Sequence, residues 1–97
     1  MSDIKFLEEW YSAQCDGDWE HGESLRIYTL DNPGWALDAN LSKTIAAAAQ
    51  FSPFEMEVDE LNWCRCWIER SVFHGRGGSE NLSDMLKVFR TWVSQMS

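Results

Sequence analysis

The sequence predicts an α+β domain in the order α-β-β-β-β-α, a four-stranded antiparallel sheet with the N- and C-terminal helices packed on one face. Three observations predict it. Apolar residues recur at steps of three and four near both ends of the chain, they alternate with polar residues in four central stretches, and Gly- and Pro-containing breakers separate those stretches.

From Asp3 to Cys15, the residues Ile4, Phe6, Leu7, Trp10, Tyr11 and Cys15 mark one side of an amphipathic helix, with Ser2 or Asp3 as its N-cap. Gly17, between Asp16 and Asp18, suits a left-handed stop, and a polar loop runs on to Glu23. Ser24 to Leu30 alternates, and after Asp31-Asn32-Pro33-Gly34 the alternation resumes from Trp35 to Leu41. This is a hairpin in which Pro33 presets φ and Gly34 takes the positive φ that follows. Residues 42–53 form a connection with room for a short helix around Ala46 to Ala49, which Pro53 keeps from extending. Phe54 to Glu60 and Trp63 to Phe73 alternate again and read as a second hairpin. Gly75-Arg76-Gly77-Gly78 reads as the turn from strand to helix, and Leu82, Met85, Leu86, Phe89, Trp92, Val93 and Met96 give a last helix capped by Ser79 or Asn81. The expected core gathers Trp10, Leu25, Ile27, Leu37, Val58, Ile68, Leu86, Phe89 and Trp92.

Composition bounds the function. A length of 97 residues predicts one domain over 1–97, and 44% hydrophobic residues with six Trp supply a core. No stretch nears the roughly 20 apolar residues of a membrane span, and Met1-Ser2-Asp3-Ile4-Lys5 has no signal-peptide pattern, so the expected location is cytoplasmic, away from membranes. Three cysteines, an odd number, argue for reduced thiols, and Cys15, Cys64 and Cys66 are read as small buried hydrophobes. Sixteen acidic against eight basic residues give a net charge of −8, which opposes binding to a phosphate backbone and excludes nucleic acid as the expected partner. The charge is lopsided: residues 1–60 carry thirteen acids and three bases, residues 61–97 three acids and five bases. A basic protein partner fits the acidic part.

If Leu25, Ile27, Trp35, Leu37, Met56, Val58, Cys64, Cys66 and Ile68 face the helices, alternation puts Arg26, Tyr28, Trp63, Arg65, Trp67 and Phe73 on the open face. Trp, Tyr and Arg concentrate in binding hot spots, so this face is a candidate interface; the reverse register would bury Trp63 and Trp67 instead. The loop Cys15-Asp16-Gly17-Asp18-Trp19-Glu20-His21 joins a thiol, three carboxylates and an imidazole. One reading is a small cysteine/histidine-dependent enzyme or metal-binding protein built on the Cys15 to His21 loop; the other is a solvated loop anchored by Trp19. A zinc set of Cys15, His21, Cys64 and Cys66 lacks the usual two-residue cysteine spacing. Cys64 and Arg70 have the spacing of cysteine phosphatases, but no glycine lies between them to form a loop of amides around a phosphate. The reading therefore assigns no catalytic residue, no metal and no cofactor.

Trp10-Tyr11, Gln14-Cys15-Asp16-Gly17-Asp18-Trp19-Glu20-His21 and Thr29-Leu30-Asp31-Asn32-Pro33-Gly34-Trp35, with Gly77-Gly78, Asn81-Leu82 and the pair Phe89 and Trp92 near the C-terminal end, resemble the immunity protein 53 family of bacterial polymorphic toxin systems. The resemblance spans nearly the whole chain. It implies a cytoplasmic antidote that binds a cognate toxin and blocks it without catalysis. The charge pattern and the open sheet face add the expected toxin-binding residues: Asp16, Asp18, Glu20 and Glu23 from the acidic part, and Tyr28, Trp63, Arg65 and Trp67 from the sheet. The expected partner is a basic toxin protein, and the chain itself a monomer or weak homodimer.

Overall fold

In the computed structural model, which describes residues 2–44 and 46–96, the first amphipathic stretch forms helix α1 (Asp3–Gln14). Ser2 Oγ accepts the Lys5 N–H at 3.0 Å and satisfies one of the donors that a helix start leaves open. Leu7 and Trp10 form the buried stripe. The helix stops at Cys15, whose backbone is already extended (φ −66°, ψ 122°), so the left-handed Gly17 (φ +92°) bends the loop two residues further on rather than capping the helix. Cys15 is a correction: it is exposed at the helix end, where its thiol donates to the Tyr11 carbonyl at 3.3 Å.

Strands β1 (Leu25–Leu30) and β2 (Gly34–Asn40) pair antiparallel from Leu25↔Ala39 to Leu30↔Gly34. The turn between them is Asp31–Pro33, and Gly34 is not its left-handed residue; among the described glycines only Gly17 has positive φ. Gly34 is needed instead because it lies opposite Gly78, where a Cβ would run into the Gly77 carbonyl.

The second half departs from expectation. Among the described residues the sheet has five strands, the others being β3 (Phe54–Glu57), β4 (Trp63–Glu69) and β5 (Val72–Gly78). The stretch expected as one strand from Trp63 to Phe73 folds back at Arg70 and Ser71, whose φ values are +54° and +64°. Two consecutive positive φ values make a tight hairpin whose usual sequence is Asn-Gly; Arg-Ser carries a Cβ at both positions and no such signal. The fold-back moves Phe73 to the helix side, where it is fully buried. It also turns Gly75-Arg76-Gly77-Gly78 from an expected turn into the end of a strand.

The sheet order is β1-β2-β5-β4-β3, all antiparallel, with β5 at its centre. Helix α2 (Leu82–Ser94) crosses β2, β5 and β4. The glycines of β5 permit the close crossing: a Cβ on Gly75 would lie 3.0 Å from Met85 Sδ, and one on Gly77 2.8 Å from Met85 Cε. Helix α1 packs on the flank of α2, where Arg90 donates to Asp3 at 3.1 Å and Trp10 meets Phe89 edge-on with ring centres 5.0 Å apart. Further edge contacts link Trp10 to Trp19, Phe89 to Phe73, and Phe51 to both Phe73 and Trp92.

Of the expected core, Trp10, Leu37, Leu86, Phe89 and Trp92 are buried, and Leu25 and Ile68 are half-buried at its margin. Ile27 and Val58 are exposed, at 39% and 65%. Ile27 lies on the outermost strand, and Val58 lies past the end of β3, which stops at Glu57 rather than Glu60. The described residues of the connection 42–53 make single turns, with Ala47 and Ala49 donating three residues back, and the segment is tied to α2 by the Trp92 indole N–H on the Gln50 carbonyl at 2.9 Å. Among the described residues no helix is long and apolar enough to cross a membrane.

Candidate protein interface

The helices cover one face of the sheet, and alternation sends every second side chain to the other. Ladder register lines these up in two rows. Arg26, Asp38, His74 and Trp67 form the first, and Tyr28, Ala36, Arg76, Arg65 and Glu55 the second.

Asp38 is the hub that joins the rows. Its Oδ1 accepts from His74 Nδ1 at 2.7 Å and from Arg76 Nη1 at 2.9 Å, and its Oδ2 accepts from the Tyr28 hydroxyl at 3.1 Å. A carboxylate only accepts, so Nδ1 is the protonated nitrogen of His74. Burial opposes ionisation of Asp38, but the hydrogen bonds from His74 and Arg76, the Arg76 charge and the Tyr28 hydroxyl outweigh it and hold the carboxyl below its ordinary value of 3.8. Arg76 also donates to the Leu37 and Gly75 carbonyls and lies over the rings of Tyr28 and Trp67, 5.5 and 5.7 Å from their centres. Beneath this lattice Ala36 has no exposed surface. Trp67 stacks on His74 at 5.2 Å and an interplanar angle of 26°, and Arg26 covers Tyr28 at 4.8 Å. The face is therefore organised by its own contacts, with aromatic rings stacked against one another and against paired charges.

Trp63 and Arg65 stand further along β4. Arg65 lies 5.8 Å from the Trp63 ring and pairs with Glu57 at 3.3 Å and Glu55 at 4.0 Å. Of the expected sheet residues, Tyr28, Trp63, Arg65 and Trp67 thus share the open face, while Phe73 does not.

The acidic loop lies elsewhere. Its Trp19 is buried against Trp10 and Tyr11 and donates its indole N–H to the Asn40 carbonyl at 3.3 Å. That fixes the loop at the Asn40 end of β2, whereas Trp63 pairs at the Gly34 end, roughly 20 Å away at a strand rise of about 3.4 Å per residue. Two of the expected steering carboxylates have local work. Asp16 accepts the N–H groups of Trp19 and Asp18, and Glu20 those of Asp16 and Gly17. The N–H groups of Trp19 and Asp18 hold the Asp16 carboxyl below its ordinary value; those of Glu20 itself, Asp16 and Gly17 do the same for Glu20. Asp18 pairs with Lys43 at 3.0 Å, and Glu23 is exposed.

The cysteine and histidine reading does not assemble. Cys64 and Cys66 are buried on the helix side with sulfurs 4.0 Å apart, and the contact with Cys64 together with burial pushes the Cys66 thiol up; Cys15 and His21 are exposed. Among the described residues no three His, Cys, Asp or Glu side chains are grouped to hold a metal ion.

Sequence reasoning missed Asp38, His74 and Arg76 as site residues. Their signal is register: once Arg70-Ser71 is read as a turn, Asp38 falls opposite His74 and Ala36 opposite Arg76.

The chain is thus a small α+β protein with one sheet face shielded by helices and the other open and ordered by its own side-chain contacts. The family model for immunity protein 53 matches residues 4–94, and the chain belongs to that family. No curated protein and no solved structure matches it.

Proposed function

We propose that the chain is an immunity protein that neutralises a cognate polymorphic toxin by forming a one-to-one complex with it, without catalysis of its own. The observation that carries this reading is the family match over residues 4–94. The open sheet face supports it, because Tyr28, Trp63, Arg65 and Trp67 are the residue types that anchor interfaces, and their own contacts preorder them, which lowers the cost of binding. The net charge of −8 favours a basic toxin. Glu23 is the better steering residue, since Asp16 and Glu20 already hold their loop and Asp18 is paired with Lys43. Asp16 and Glu20 contribute to the field from fixed positions. The expected compartment is the cytoplasm of the cell that makes the toxin, and the expected free state a monomer or weak dimer.

The test is a titration of the toxin domain encoded beside this chain. Toxin activity should fall linearly and vanish at one equivalent. Inhibition by a small fraction of an equivalent would instead mean turnover, and full activity in excess antidote would remove the reading altogether. Trp67→Ala should then speed dissociation by about tenfold. Glu23→Lys should slow association at low salt only.

A further inference from the structure

The sheet has two outer strands among the described residues, β1 and β3, and they differ. Helix α2 crosses β2, β5 and β4, so β3 projects beyond it. On the helix side this overhang leaves a groove of about 530 Å³ between α2 and residues 50–56, lined by Phe51, Phe54, Met56, Val88 and Trp92, with Lys87 and Asp84 on its wall. On the other side of the same strand stand Glu55 and Glu57. These two carboxylates share one guanidinium, that of Arg65, and beyond the strand end lie exposed Asp59 and Glu60.

Backbone alternation settles which groups face outward. Val58 donates to the Asn62 carbonyl at 3.0 Å, so Val58, Met56 and Phe54 turn their polar groups toward β4. The N–H and C=O groups of Glu55 and Glu57 therefore point away from the sheet, a row of donors and acceptors ready for another strand.

We propose that the outer edge of β3 accepts an extended segment of a protein partner as a sixth strand, and that the segment alternates apolar and basic residues. The alternation follows from geometry. In a strand added at β3, every second side chain falls on the groove with Phe54 and Met56, and the intervening ones fall beside Glu55 and Glu57. Apolar residues suit the first set and Lys or Arg the second. A second copy of this chain would meet the first requirement with Phe54 and Met56 but fails the second: β3 against β3 would set Glu55 and Glu57 opposite their own kind. The β1 edge carries Arg26 and lacks both the carboxylates and the groove. The identity of the partner as a toxin rests on the function proposed above; the edge chemistry does not.

The probe is a short, end-blocked peptide alternating valine and lysine, with a peptide of the same composition in two blocks as control. Amide hydrogen exchange is followed residue by residue in the intact protein. The alternating peptide should slow exchange at Glu55 and Glu57 by about tenfold or more, and the blocked one should not. Glu57→Pro removes one outward donor and the exposed Arg65 pair but no backbone bond to β4, so it should abolish that protection at Glu55 while the β4 amides stay protected. Glu55→Gln with Glu57→Gln should weaken binding by about tenfold, with less dependence on salt. The proposal is overturned if the peptide protects neither amide, if it protects β1 instead, or if protection at β3 rises with protein concentration alone, which would mean self-pairing. With the toxin domain, a tight complex that leaves Glu55 and Glu57 exchanging freely overturns the edge proposal but keeps the immunity function. Protection by the peptide with no toxin complex does the reverse.

Discussion

The two faces of this sheet hold together by opposite means. On the helix side, aromatic rings meet edge to face from Trp19 through Trp10, Phe89 and Phe73 to Phe51 and Trp92, and glycines at 75 and 77 let Met85 press onto the strand backbone. On the open side, one carboxylate, Asp38, gathers a phenol, an imidazole and a guanidinium, and rings stack on the charges. The first face depends on volume and the second on polarity. A substitution should therefore disturb the dry face in proportion to the space it changes, and the wet face in proportion to the charge it removes.

The sharpest way to break the comparison is Phe89→Ala. Phe89 has no exposed surface and touches Trp10 and Phe73, so truncation should cost about 3–5 kcal/mol in denaturant unfolding. A loss below about 1 kcal/mol would mean that the aromatic lattice is not the core. Next comes Gly77→Val, which adds volume where Met85 and the Trp63 carbonyl leave none and should cost about 1–3 kcal/mol.

Asp38→Asn tests the wet face. It keeps the shape and removes the charge, and should cost about 1–3 kcal/mol at neutral pH. The pH dependence has a defined sign. The Asp38 carboxyl is held below its ordinary value in the folded state, so its contribution is complete above about pH 4 and is lost as pH falls through the lowered folded value. The stability gap between wild type and variant should accordingly narrow in acid; a gap that stays constant down to about pH 2 would assign the cost to shape instead. The smallest effect is chemical. A thiol reagent should label Cys15 quickly in the native protein, and reach Cys64 and Cys66 only after unfolding.

How much of this could be read in the sequence depends on where the side chains carry the instruction. The helices were legible because Leu7 and Trp10, or Met85, Phe89 and Trp92, repeat the helical period in one class of residue. The first hairpin was legible from its alternation and from the break at Asp31-Asn32-Pro33-Gly34, although Gly34 serves the β5 contact rather than the turn. The fifth strand was not. Its turn, Arg70-Ser71, is imposed by the pairing of β4 with β5, and its glycines serve the helix that crosses them rather than a bend. Losing that strand displaced Phe73 and Arg76 together. The candidate interface was half legible: Tyr28, Trp63, Arg65 and Trp67 followed from alternation alone, whereas the Asp38 hub depends on a partner 36 residues away across a ladder. Ile27 and Val58 failed as core residues for a simpler reason, since alternation tells which way a side chain points but not whether anything lies above it.

The position of β5 also bears on how the molecule comes into being. It is the last strand to be synthesised, yet it lies between β2 and β4 and is the rail on which both hairpins are hung. Until residues 72–78 have left the ribosome, the β1–β2 and β3–β4 hairpins have no shared edge, and α2 is still to come. Chains arrested before Val72 are expected to stay sensitive to protease, and no N-terminal part should gain partial order first. The ladder of β5 with β2 spans long stretches of sequence, which slows such a topology and leaves strand edges open during synthesis. The acidic residues concentrated in the first sixty positions are expected to help keep a long unfinished chain dispersed until its central strand arrives.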